Sequence, residues 1–410
     1  MFTQADRLIL RDLAKRIAEL AALPEMAEKR ALWKRHNSLQ PARPMVLVFP
    51  EGSWDELLPQ SKYRCEGEWA RRIEAYLRMP AYGYEHFKSD SVVEAIWSVG
   101  KTIHQTGWGL EAKWQPKTEA HGSYTYDPVI TCAADLKKLQ FPEVTYDAEG
   151  SERHLAIMQD LFGDILDVQF KGSSNVSFHL MGEYCAWRGL EQAMLDMYEE
   201  PEMLHDAMAF LEEGHHRIMR QYADLNLFSL NNDVTYHSSG GVGYTDELPQ
   251  AGFDPARVRP CDLWASAEAQ EMAQVSPAMH AEFILPYEKR LLAPFGLNGY
   301  GCCEDLTRKL DDVFTIPQIR RISIAPWANV DICAEKLQNK YIFSWKPNPA
   351  YLVGDFDLEQ TRQYVGHTLD VAKDCVLEII LKDTHTCQNH PERFDQWTQV
   401  VDELLRDRVG

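Results

Sequence analysis

The chain has 410 residues, 45% of them apolar and 25% charged, enough for one large domain or two medium ones with a sizeable core. Acidic residues outnumber basic ones 62 to 42, for a formal charge of −20, and no basic cluster runs against the trend. That field repels phosphate backbones and anionic lipid, which argues against nucleic acid and membrane as partners. No run approaches the roughly 18 apolar residues of a membrane span. The first 20 residues mix charges of both signs and lack the apolar stretch of a signal peptide, so a cytoplasmic location is expected. The nine cysteines are scattered, apart from the adjacent Cys302 and Cys303, and read as core residues, metal ligands or nucleophiles rather than a disulfide framework.

Residues 1–40 read as one or two amphipathic helices, with Leu8, Ile9, Leu13, Ile17 and Leu20 near helical period. Pro41 and Pro44 end them and introduce Met45-Val46-Leu47-Val48-Phe49, a short strand. Helical and turn-rich stretches alternate to about residue 150. A clearer rhythm follows: helix 152–162, strand 165–170, helices 190–197 and 201–222, strand 225–231 and a loop over 233–243. Helix 277–292 comes next, then strands at 295–300, 319–325, 341–345 and 376–381 alternating with helices at 306–314, 358–372 and 391–405. Such alternation predicts a parallel sheet with helical crossovers, and eight units close into a (β/α)8 TIM barrel. An open doubly wound sheet is the competitor, but no glycine-rich dinucleotide motif follows the first strand. The expected organisation is a helical N-terminal extension over 1–44 and an α/β barrel over 45–410.

Catalytic groups of a barrel sit at the C-terminal ends of its strands. Four segments meet that condition. The loop from Asn231 to Gly241 collects Asp233, His237 and hydroxyls such as Ser238 and Ser239. Tyr300-Gly301-Cys302-Cys303-Glu304 brings two thiols and a carboxylate to a strand end, as soft metal ligands, as a nucleophile, or as small buried residues. Trp345-Lys346-Pro347-Asn348-Pro349 offers pocket-lining groups or a rigid turn. Lys382 to Glu392 contains His385 and Cys387, which face one side of an extended segment. Joined to Cys302 and Cys303 across the barrel mouth, they would form a split zinc site. No serine elbow, Walker loop, HExxH or paired CxxC motif is present.

The order of several segments resembles the uroporphyrinogen decarboxylase superfamily. Leu180-Met181-Gly182-Glu183 through Gly189-Leu190-Glu191, then Asp196-Met197-Tyr198-Glu199-Glu200-Pro201-Glu202, is similar to its glycine segment, helix and "D-x-Y-x-x-P-E" turn. Ser276-Pro277-Ala278-Met279 with Leu285-Pro286-Tyr287-Glu288-Lys289-Arg290 is similar to its "SPxMFxxFxxPYxKRL" helix. Trp345 to Pro349 stands for its "GNVDP" turn, and residues 385–392 for its terminal "GC…TPxEN" stretch. The resemblance covers roughly residues 120–405. It implies the barrel and a homodimer. The arginine-rich motif of the porphyrin decarboxylases has no counterpart in Val46 to Trp54, so a polyanionic porphyrinogen is not the expected substrate.

The corrinoid methyltransferase branch holds zinc through "H-x-C" and a later cysteine. Here the first becomes Tyr300-Gly301-Cys302, which keeps the cysteine and loses the histidine. Cys387 or His385 stands for the second, with Cys303, His237 or Glu304 as a further ligand. The resemblance thus implies a zinc-dependent methyltransferase acting between a small methylated substrate and a corrinoid protein. Tyr300, Trp345, Lys346 and Asn348 would bind substrate, and Asp233, His237 and Glu304 would handle protons. A metal-independent lyase or decarboxylase, with Asp233 and His237 as acid and base and Lys346 as carboxylate anchor, is the alternative. A non-catalytic ligand-binding barrel is the third.

Overall fold

The computed structural model describes residues 2–115, 125–237 and 239–409; Ser238 lies outside them. The main strands are β1 (Met45–Val48), β2 (Ile96–Gly100), β3 (Asp167–Lys171), β4 (Ser177–Phe178), β5 (Trp264–Ala267), β6 (Leu297–Tyr300), β7 (Ile319–Ile324), β8 (Ile342–Trp345) and β9 (Val376–Leu381). Seven of them form one sheet in the order β1-β9-β8-β7-β6-β5-β4, and every neighbouring pair is parallel. β2 and β3 form a separate parallel pair. Residues 225–231, expected as a strand, make only an isolated bridge between Ser173 and Phe228.

The sheet strands are mostly apolar and almost wholly buried, as in parallel sheets covered on both faces. Helical crossovers supply the cover. Pro201 opens Pro201–Asp224 and Pro277 opens Pro277–Phe283, each at a first-turn position where the missing N–H costs nothing. The helix expected over 277–292 breaks at Ile284 into Pro277–Phe283 and Leu285–Leu292. Pro286 explains the break, since its ring clashes with the preceding turn and it has no N–H to donate. No helix among the described residues is long and apolar enough to cross a membrane.

The N-terminal helices are α1 (Gln4–Ala21) and α2 (Pro24–Asn37). Thr3 caps α1 by accepting the Asp6 N–H at 3.0 Å. Its buried stripe is Leu10, Ala14, Ile17 and Leu20; of the expected residues Ile17 and Leu20 lie on it, Ile9 and Leu13 are partly buried at its edge, and Leu8 is exposed. The end of α2 enters the interior. There His36 Nε2 lies 3.1 Å from Glu378 Oε2, and Arg321 Nε lies 3.0 Å from Glu378 Oε1. Asn37 bridges Arg321 Nη2 and the Val242 carbonyl, at 2.8 Å each. All four side chains are buried. Burial alone would push the Glu378 carboxyl up, but Arg321 and His36 hold it far below the carboxylate range.

Candidate active site

Gly301 ends β6 at φ +93°, where a Cβ would stand 2.7 Å from Leu306 Cδ1, so the turn that presents Cys302 and Cys303 requires glycine. The next peptides are tied down. Glu304 Oε2 accepts the Cys302 N–H at 2.8 Å, and its Oε1 accepts the Ala269 N–H at 3.1 Å. Ser323 Oγ donates to the Cys302 carbonyl and Trp327 Nε1 to the Cys303 carbonyl, both at 2.9 Å. The two sulphurs stand 3.6 Å apart and are half-buried.

This setting favours a thiolate on Cys302. The Cys303 S–H donates to it, and Ser239 and the Lys382 ammonium add to the effect against the cost of burial, which draws Cys302 down to about 6. Cys303 is pushed far up by the same hydrogen bond, so one proton stays on the pair. Burial lowers the Lys382 value, but Cys302 and Asp383 more than offset it. Burial and the neighbouring Glu268 raise Glu304 to about 7.

Two further groups reach this edge. His179 follows β4 and Glu268 follows β5, and Nδ1 of the one is hydrogen-bonded to Oε1 of the other. Glu268 is buried and its second oxygen accepts the Gln270 N–H at 2.8 Å. His179 is half-exposed. Burial opposes protonation of its ring, but Glu268, then Glu271 and Cys302, raise the imidazole above its ordinary value. Glu268 thus orients a proton-bearing imidazole within electrostatic reach of the thiolate. The Tyr236 hydroxyl is buried without a hydrogen-bond partner among the described residues, and Cys302 and Glu378 are the charges that most raise it after burial itself.

Of the expected site residues, Cys302, Cys303 and Glu304 come together. Lys346 lies near them but is buried, bonded to the Ser344 carbonyl and hydroxyl at 3.0 and 3.1 Å, and lowered by burial to about 7. The rest are placed elsewhere. Tyr300 points into the helical layer, where its hydroxyl lies 2.7 Å from both Glu288 Oε2 and His280 Nε2. Trp345 is fully buried against Tyr364, and Asn348 caps the turn Pro349–Leu352. Asp233 pairs with Lys171 at 2.5 Å and closes a turn onto Thr235. His237 is buried on Trp264, its Nε2 2.8 Å from the Asn231 carbonyl. These two therefore do not form the acid–base pair of the lyase alternative.

The zinc set is likewise not assembled. The Cys387 thiol donates to Glu56 Oε2 at 3.0 Å, and burial with that carboxylate raises it to about 12. His385 is exposed, its backbone against Gly52. Among the described residues no group of three or more His, Cys, Asp or Glu is placed to hold a metal ion. Zinc holds four ligands in structural sites and three protein ligands in catalytic ones, so Cys302 and Cys303 alone do not fit it.

Sequence reasoning did not single out His179 or Glu268. Glu268 follows Trp264–Ala267, whose Trp-Ala-Ser-Ala composition lacks the β-branched signature, and with that strand unseen its terminal carboxylate had no address.

No family model matches the chain, and no curated protein matches it in sequence. Among solved structures, a methyltransferase from Methanosarcina mazei aligns with 92% of this chain and 98% of its own, at 10% identity and a TM-score of 0.49. At that identity and score the likeness carries no argument about activity.

Proposed function

We propose that the chain is a group-transfer enzyme on a (β/α)8 barrel, with Cys302 as the nucleophile and a methyl group as its cargo. The observation that carries this reading is the Cys302–Cys303 thiol pair, 3.6 Å apart at the end of β6, with Ser239 and Lys382 turned to the same sulphur. A thiolate is a strong nucleophile toward saturated carbon, and strand ends are where barrels keep such groups. The methyl cargo comes from the sequence resemblance to the corrinoid methyltransferases.

In the first half-reaction the Cys302 sulphur pair forms a bond to the methyl carbon of a small CH3–X substrate. The carbon–X bond breaks with its electrons on X, and the His179 imidazolium supplies the proton X needs. Glu268 steadies the imidazole and Glu304 fixes the Cys302 backbone. Removing methyl from the resulting thioether needs a strong nucleophile, which a reduced corrinoid on a partner protein would supply. Zinc at Cys302 would find one neighbouring thiol, while both oxygens of the nearby Glu304 are taken by the Cys302 and Ala269 N–H groups, so the thiolate itself carries the reading.

The test is alkylation of Cys302 by iodoacetamide, followed by peptide mass mapping across pH. The expected midpoint lies near 6, with Cys303→Ala moving it toward the ordinary thiol value of about 8.5. His179→Gln should leave this alkylation intact while lowering turnover by about 100-fold or more with methylated donors. An ordinary midpoint at Cys302 sinks the reading. So does one equivalent of zinc in the purified protein that is lost in a Cys302→Ser/Cys387→Ser double variant.

A further inference from the structure

We infer that Cys302 and Cys303 form a chelating site for a trivalent, thiol-seeking metalloid centre, namely arsenous acid or a monosubstituted arsenical. The inference shares Cys302 with the proposed reaction but stands on sulphur spacing rather than on methyl transfer. Three features of the pair support it.

The first is separation. At 3.6 Å the sulphurs are too far apart for a disulfide, whose bond is about 2.05 Å, and sit as two unjoined thiols side by side. A linear two-coordinate cation lies between its ligands and needs the sulphurs on opposite sides, well beyond this spacing. A tetrahedral zinc needs more donors than the pair provides. A pyramidal trivalent centre differs from both. Its bonds lie near right angles, so two adjacent sulphurs in contact with each other satisfy two of its three valences.

The second feature is rigidity. The Cys302 N–H is held by Glu304 at 2.8 Å, and the two carbonyls by Ser323 and Trp327 at 2.9 Å. Gly301 N–H is in turn held by the Ala267 carbonyl at 2.9 Å. The pair is therefore preorganised, and closing the second bond costs little further ordering.

The third is access with the right charge state. Both residues are half-buried at the open end of the strand rather than sealed in the core. The charge of Lys382 acts on both sulphurs and raises the thiolate fraction of the one that attacks first.

The chemistry balances without an oxidant. The Cys302 thiolate and the Cys303 thiol each form one arsenic–sulphur bond, the Cys303 proton and one proton from solvent going to the departing hydroxyls. Two arsenic–oxygen bonds break, two hydroxyls leave as water, and arsenic stays trivalent. The product blocks Cys302, so exposure to such a compound would silence the enzyme reversibly.

Phenylarsine oxide is the probe, with intact mass, free-thiol count and peptide mapping as readouts. The expected result is one phenylarsenic per chain, two thiols consumed, and the adduct mapped to the peptide carrying Cys302 and Cys303. Release should follow addition of a dithiol but not a monothiol. Cys303→Ser keeps a hydrogen-bond donor beside Cys302, so iodoacetamide should still label Cys302, while arsenical affinity falls by about 100-fold or more on loss of the second, intramolecular bond. Equal affinity in Cys303→Ser, one thiol consumed per arsenic, or an adduct mapped elsewhere overturns the inference. Iodoacetamide labelling in the same samples reports on the proposed nucleophile independently, so either idea can fail alone.

Discussion

An imidazole enclosed by protein loses the water that would solvate its cation, and His237 is in that position. Burial, with Arg321 and Lys171 nearby, outweighs the Asn231 carbonyl and Asp233 and lowers the ring to about 3. The unfolded chain takes up this proton near 6.5. Between those values the unfolded state binds more protons than the folded one, so this contribution is complete above about 6.5 and is lost as pH falls toward 3. Glu304 acts in the opposite sense, because its raised value favours the folded state as pH falls through the same range. The informative quantity is therefore the difference between wild type and His237→Gln, which keeps a donor to the carbonyl. Urea midpoints should fall more steeply between pH 6.5 and 4.5 in wild type than in the variant. Parallel curves would mean that His237 takes its proton in the folded state. The same residue shows what the sequence hides: a histidine in a glycine-containing loop suggests a base, and only the fold reveals that the loop turns it inward onto Trp264.

The loop between Asn231 and Gly243 is one element with two working sides. Its inner side is fixed where Glu378 Oε1 accepts the Gly241 N–H at 2.8 Å, and its outer side delivers Ser239 to Cys302. Gly240 lies between them, and a Cβ there would stand 2.2 Å from Arg321 Cδ. Gly240→Ala should cost about 1–3 kcal/mol by overpacking. It should also slow iodoacetamide labelling of Cys302 at pH 6–7 while leaving the rate at pH 9 unchanged, since only the thiolate fraction is affected. A variant with wild-type melting and labelling would show that the loop is not a strut. Elements with strong local signals were legible: Val376–Leu381 appears where its branched residues predict it. The break at Ile284 was also written in the sequence, as Pro286, but a long apolar period masked it. At the site, Cys302, Cys303 and Glu304 were legible because they are contiguous. His179, Glu268 and Ser239 come from other strand ends and loops and meet them only in space. Cys387 misled because Glu56, on the short helix Trp54–Leu57, gives no sign in the sequence that it will claim that thiol.

At the scale of the whole molecule, the N-terminal helices share the interior of the sheet. Trp33, His36 and Asn37 are buried, and His36 and Asn37 satisfy part of the charge of Glu378 and Arg321. Removing residues 1–44 would leave the buried Glu378–Arg321 pair without the hydrogen bonds of His36 and Asn37, a loss of about 1–3 kcal/mol for each unsatisfied group on top of the lost apolar contacts. The truncated chain should be insoluble or should lack a cooperative melt by circular dichroism. A stable, cooperatively folding 45–410 fragment would show the helices to be a separable extension. The strand order carries one more consequence, for how the protein is made. β1 has β9 as its sheet neighbour, with Met45 opposite Glu378 and Val48 opposite Leu381. On the ribosome the first strand therefore leaves the exit tunnel with an unpaired edge and an apolar face, and keeps both until nearly the whole chain has followed. Early synthesis is the period of greatest aggregation risk, and a chain stalled before residue 376 has no means of closing that edge itself.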